Sequence, residues 1–179
     1  GLTDIFEAPV RQVGGTDWVM QAADTPAELE ALLDRVEGRD LRSFVVPDNW
    51  ESEVQRIYGR YGRKPGLGAG VRGPVTAAMS IYGVENLIYL IMDEPELAAR
   101  FSKVMADVII GLGEIWRELS GQPDRRGWHF NDDDCCLLNA ELYEFWAQPI
   151  LRRVFDTFSP DPSDWRFQHS DSAMGHLMP

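Results

Sequence analysis

At 179 residues the chain can bury the core of one domain, and its composition, 44% hydrophobic and 26% charged, is that of a globular protein. A formal net charge of −12 disfavours nucleic-acid phosphates and anionic lipid as partners. No apolar run approaches the ~20 residues of a membrane span, no signal-peptide core opens the chain, and Cys135 and Cys136 are sequence neighbours that rarely pair, so a reducing, cytoplasmic setting is expected.

Residues 1–20 read as irregular, punctuated by Pro9 and Gly14-Gly15. Thr25-Pro26-Ala27-Glu28 is a helix start, with an N-cap, a proline in the first turn and a glutamate three residues after the cap. Leu29, Leu32, Leu33 and Val36 continue it as a helical stripe to about residue 37. Leu41 to Val46 reads as a short strand closed by Pro47-Asp48, and Trp50 to Tyr61 as a helix. A basic turn with Arg63 and Lys64 leads into a glycine-rich strand over residues 66–71, and Gly73-Pro74 opens another helical stretch. The glycines of this region lack the spacing of a nucleotide-binding loop.

Asp93-Glu94-Pro95 starts the clearest helix, whose residues Leu97, Phe101, Val104, Met105, Val108, Ile109, Leu112, Ile115, Trp116 and Leu119 repeat at three- and four-residue intervals along one face. Gly127 to Phe130 is a strand followed by Asn131-Asp132-Asp133-Asp134. Glu141 to Phe158 reads as one helix kinked at Pro149. Trp165 to His169 is the last strand, followed by Asp171.

Strands separated by helical stretches predict an α/β fold with parallel strands. In such folds the chemistry sits beyond the carboxyl ends of the strands. Those ends carry Asp48 and Asn49, then Arg72, then Asp132, Asp133 and Asp134, then His169 and Asp171. A His-x-Asp on an extended segment places both side chains on one side, where they can hold a metal or share a proton. Each residue also has a plainer reading. His169 can be a strand-end histidine without chemistry, and Asp171 can cap a helix beginning near Ser172. Asp132, Asp133 and Asp134 can form a solvated loop, and Arg72 a surface ion pair. Cys135 and Cys136 read as small residues packed behind the acidic loop.

Several pieces resemble the uroporphyrinogen decarboxylase superfamily, which includes cobalamin-dependent methyltransferases. They are Gly73-Pro74-Val75-Thr76 with Gly83 and Glu85; Asp93-Glu94-Pro95-Glu96; Asp132-Asp133 with Glu141-Leu142-Tyr143-Glu144-Phe145 and Pro149; and His169-Ser170-Asp171 with Leu177 and Pro179. The resemblance spans roughly residues 70–179. It implies a (β/α)8 TIM barrel, typically at least ~250 residues, of which residues 1–179 would supply the middle part as one partial domain. The bare edges would then be covered by further sequence or by a second copy in a homo-oligomer.

The resemblance also implies chemistry. The methyltransferase branch binds zinc through a His-x-Cys and a later cysteine, and the zinc activates a thiol that takes a methyl group from a methylated corrinoid. His169 falls at the metal-binding histidine and Asp171 at the cysteine, so these two are the expected metal ligands, with the corrinoid carried by a partner protein. Asp132, Asp133 and His169 are the catalytic candidates, and Arg72 and Asp134 the groups expected to bind a small-molecule substrate. A cofactor-free decarboxylase of a tetrapyrrole or another carboxylate-rich molecule and a non-catalytic binding relative are the alternatives.

Overall fold

The computed structural model describes residues 1–65, 71–121 and 124–178. The chain begins with a one-turn helix, α1 (Leu2–Ile5), and an antiparallel hairpin, β1 (Val10–Val13) and β2 (Thr16–Val19). The expectation of irregular structure here is corrected. Gly14 and Gly15 both have positive φ, 61° and 83°, and a two-residue turn of that kind joins antiparallel strands without splaying them. Helix α2 (Pro26–Glu37) starts as the sequence predicts: the Thr25 hydroxyl accepts from the Glu28 amide, and the Glu28 carboxylate accepts from the Thr25 and Asp24 amides.

Leu41–Val45 is a short helix, α3, and not a strand. The Asp40 carboxylate accepts from the amides of Arg42 and Ser43, and this cap outweighs the β-leaning Phe44-Val45-Val46 run. Asp48 and Asn49 therefore precede helix α4 (Trp50–Tyr61) and do not stand at a strand end. The expected strand at 66–71 lies mostly outside the described residues. Helices α5 (Pro74–Tyr82) and α6 (Val84–Asp93) follow, bent by 100° at Gly83. Among the described residues, no single helix is long and apolar enough to cross a membrane.

Helix α7 (Pro95–Leu119) is the axis of the core and packs against α2, α3, α6, α8 and α9. Its predicted stripe is the buried one: Phe101, Met105, Ile109 and Leu112 have no accessible surface. The single kinked helix expected over 141–158 is two helices, α8 (Ala140–Trp146) and α9 (Gln148–Phe158). Pro149 offers no amide to the Phe145 carbonyl one turn back, so the helix breaks at Ala147 and restarts with proline in its first turn.

Two strands, β3 (Trp128–Asn131) and β4 (Arg166–His169), pair in parallel, with Trp128 opposite Arg166 and Asn131 opposite His169. Asn131 also forms a parallel bridge to Arg72. The chain is thus α/β, and the described strands form these two small sheets and not a closed barrel. Register assigns the faces. Trp128 and Phe130 turn to the helices, where Trp128 stacks on Phe158 at 4.5 Å and Phe130 meets Phe155 edge-on. Trp165, Phe167 and His169 line the opposite, open face.

Trp146 joins α8 to α7. Its indole Nε1 donates to the Ala98 carbonyl at 3.0 Å, its own carbonyl accepts from the Ser102 hydroxyl at 2.7 Å, and its ring sits edge-on to Phe101. Replacing a fully buried tryptophan by alanine leaves a large cavity and takes the indole donor from the Ala98 carbonyl, while the backbone bond to Ser102 stays. Trp146→Ala is expected to lose about 3–5 kcal/mol of stability, read as a lower urea midpoint with unchanged slope. A loss below about 1 kcal/mol would contradict this packing.

Candidate functional site

The three adjacent aspartates after β3 divide because Asp132 ends the extended segment while Asp133 and Asp134 open a 3-10 turn over Asp133–Leu137 and point elsewhere. Asp132 continues the helix-facing side and is fully buried. Helix α5 has glycine at its N-cap and no side chain of its own to satisfy its first amides. Asp132 does so from across the fold: its Oδ1 accepts from the Thr76 amide at 2.8 Å and its Oδ2 lies 3.5 Å from the Val75 amide. Residue 73 must be glycine for this approach, because a Cβ there would sit 2.0 Å from the Asp132 Cβ. Burial pushes the Asp132 carboxyl up from 3.8 to about 6, against the opposing pull of the Thr76 and Val75 hydrogen bonds. Expected as a catalytic group, Asp132 is turned into the fold, with its oxygens on the start of α5.

The backbone around Asp132 ties three chain segments together. The Gly73 amide donates to the Asn131 carbonyl at 2.6 Å, and the Asp132 amide donates to the His169 carbonyl at 2.8 Å. The ends of β3 and β4 and the residues around Arg72 are thereby held side by side.

His169 and Asp133 meet at this shared end. His169 Nε2 lies 3.0 Å from Asp171 Oδ1, and Asp133 Oδ1 accepts from the Asp171 amide at 2.8 Å. One ligand atom from each of Asp133, His169 and Asp171 lies within 4.8 Å of the other two. His169 is 46% exposed and Asp171 83%, so the cluster opens to solvent. The imidazole stacks on Phe167, which stacks on Trp165, and these rings form an apolar wall along β4 leading to the cluster.

Asp134 stands beside this group. Its carboxyl is raised, first by burial and then by the Asp133 charge, while the Arg72 guanidinium pulls it down. Arg72 also reaches the Ser80 hydroxyl at 3.4 Å. The two groups expected to hold substrate are therefore neighbours at the rim. Asp171 does not cap a helix near Ser172; the next turn is a short 3-10 segment at Gly175–Leu177 with Met174 before it. Cys135 is buried with its thiol pushed up to about 11, chiefly by burial, in keeping with a packing residue. Sequence reasoning gave no role to Thr76, although a helix opening on glycine signals that its amides need a remote acceptor.

No family model matches the chain, and no curated protein sequence matches it significantly. Among solved structures it is similar to a methyltransferase from Methanosarcina mazei, with a TM-score of 0.54 and 12% identity over 96% of this chain and 48% of that one. The chain thus spans about half the length of that protein. At this identity the likeness establishes a shared fold.

Because the folded-state pKa of Asp132 lies above its unfolded value, the folded protein holds the extra proton between about pH 4 and 6. This group's contribution to stability is therefore fully present below about pH 4 and declines as pH rises through about 6, by on the order of 3 kcal/mol. Asp132→Asn removes that slope. In metal-free protein, the stability of the wild type relative to this variant should fall between pH 4.5 and 7.5, as measured by urea unfolding. A difference independent of pH would contradict a buried, ionisable Asp132.

Proposed function

We propose that this chain belongs to a methyltransferase related to the corrinoid-linked branch of the uroporphyrinogen decarboxylase superfamily, built on a barrel of which it forms part. A metal ion, zinc by the resemblance and compatible with this donor set, would be held at the strand ends by His169, Asp171 and Asp133. The observation that carries this reading is the convergence of one imidazole nitrogen and two carboxylate groups within 4.8 Å. The fold likeness to a methyltransferase supports it.

The donors fit the ion. Zinc accepts imidazole nitrogen and carboxylate oxygen, and three protein ligands leave the fourth position open, the pattern of catalytic sites. Zinc bound there supplies Lewis acidity that lowers the pKa of a thiol or water brought to it. An oxygen-rich set with Asp171 in place of cysteine makes that acidity harder and stronger than a thiolate set does.

The residues of the chain supply the rest. Asp133 uses one oxygen to hold the Asp171 amide, fixing the loop that carries the second carboxylate, and keeps its other oxygen for the ion. Arg72, next to Asp134, offers a guanidinium to an anionic group on the methyl acceptor. Trp165 and Phe167 give the site a flat apolar wall against which a methylated corrinoid, presented by a partner protein, can rest.

The 3.0 Å contact between His169 and Asp171 also suits a metal-free lyase, in which the imidazole delivers a proton after carbon dioxide leaves. Metal binding separates the two readings. Titrating zinc into chelator-treated protein by calorimetry should show one equivalent bound with a Kd in the micromolar range or tighter. His169→Ala should weaken it by about 100-fold or more without loss of helical circular dichroism. Equal zinc affinity in the wild type and His169→Ala, or no binding in either, would overturn the metal reading.

A further inference from the structure

We propose that Thr76 is a positioning residue for the Asp133–His169–Asp171 cluster, acting through the backbone on either side of Asp133. The inference rests on the reading of that cluster as the functional site, and its geometry stands independently of any metal.

Thr76 grips the acidic segment at two points. Its amide donates to the Asp132 carboxylate at 2.8 Å, and its hydroxyl oxygen accepts from the Asp134 amide at 3.0 Å. Asp133 lies between these two anchored residues, so its backbone is fixed from both sides and its carboxylate is aimed at the Asp171 amide, 2.8 Å away. Asp171 in turn meets His169 at 3.0 Å. Thr76 is itself rigidly placed: it sits in the first turn of α5, and its carbonyl accepts from the Ser80 hydroxyl at 2.9 Å. Helix α5 is thereby the template on which the metal-binding edge of the acidic segment is set.

The chemistry needs a hydroxyl at this position. A hydroxyl oxygen accepts through its lone pairs, so it can serve the Asp134 amide. Valine has the same shape and cannot. Serine can. Without the hydroxyl, the Asp134 amide loses its partner, the segment keeps its hold at Asp132 and a long 3.5 Å bond from the Ser170 hydroxyl to the Asp133 carbonyl, and the direction of Asp133 loosens. Groups that orient a ligand in this way typically contribute 10–100-fold to metal affinity.

The test compares Thr76→Val and Thr76→Ser in wild-type and Asp133→Ala backgrounds. Two readouts are taken: the amide proton shift of Asp171 by NMR in metal-free protein, and zinc affinity by calorimetry. Thr76→Val should move the Asp171 amide toward its unbonded shift and weaken zinc binding about 10–100-fold. Thr76→Ser should restore both to near wild-type values. In the Asp133→Ala background, which has no side-chain oxygen for the Asp171 amide, Thr76→Val should have no further effect on either, because its action passes through Asp133. An unchanged Asp171 shift in folded Thr76→Val, or an equal effect with and without Asp133, would overturn the proposal. The NMR arm decides it even if zinc does not bind, and failed zinc binding in the wild type alone would count against the metal reading only.

Discussion

The buried carboxylate of Asp132 is the constraint on which the candidate site depends. A carboxylate without water is costly unless polar partners surround it. Here the partners are the amides at the start of α5, which a glycine N-cap leaves without a local acceptor. Each side answers the other's deficit. The requirement fixes Gly73 against Asp132, α5 against the end of β3, and, through the Asp132 amide, the end of β4. Satisfaction is incomplete: the carboxyl remains shifted to about 6, so burial outweighs the hydrogen bonds.

Three consecutive aspartates can sit together here because they face different surroundings. Asp132 looks inward, Asp133 looks toward Asp171, and Asp134 stands beside Arg72. The segment divides one sequence motif into a structural anchor, a rim ligand and a charge partner. His169 joins this rim because register places it opposite Asn131, the residue before the anchor. The same alternation lays Phe167 and Trp165 beneath it as an open aromatic wall.

Elements with strong local signals were legible in the sequence. The Thr25–Glu28 capping box and the long apolar stripe of 95–119 mark α2 and α7, and the short apolar runs before the acidic segment and before His169 mark β3 and β4. The meeting of His169 with Asp133 followed from the rule that parallel strands gather their carboxyl ends. Elements decided by one side chain were misread. Asp40 turns a strand-like run into α3, Gly14-Gly15 makes a hairpin of a segment read as irregular, and Pro149 divides α8 from α9 where a kink was expected. The role of Asp132 was also hidden: alternation with Phe130 aims it at the helices, but the acceptor need it fills, the missing cap on α5, lies far away in sequence.

The most direct measurement of the central claim is anomalous diffraction at the zinc edge from crystals of the protein grown with zinc. The account predicts a single strong peak bounded by His169 Nε2 and the carboxylates of Asp171 and Asp133, with Asp132 still turned to the start of α5. A peak at Cys135 or His129, or none at the shared ends of β3 and β4, would contradict it.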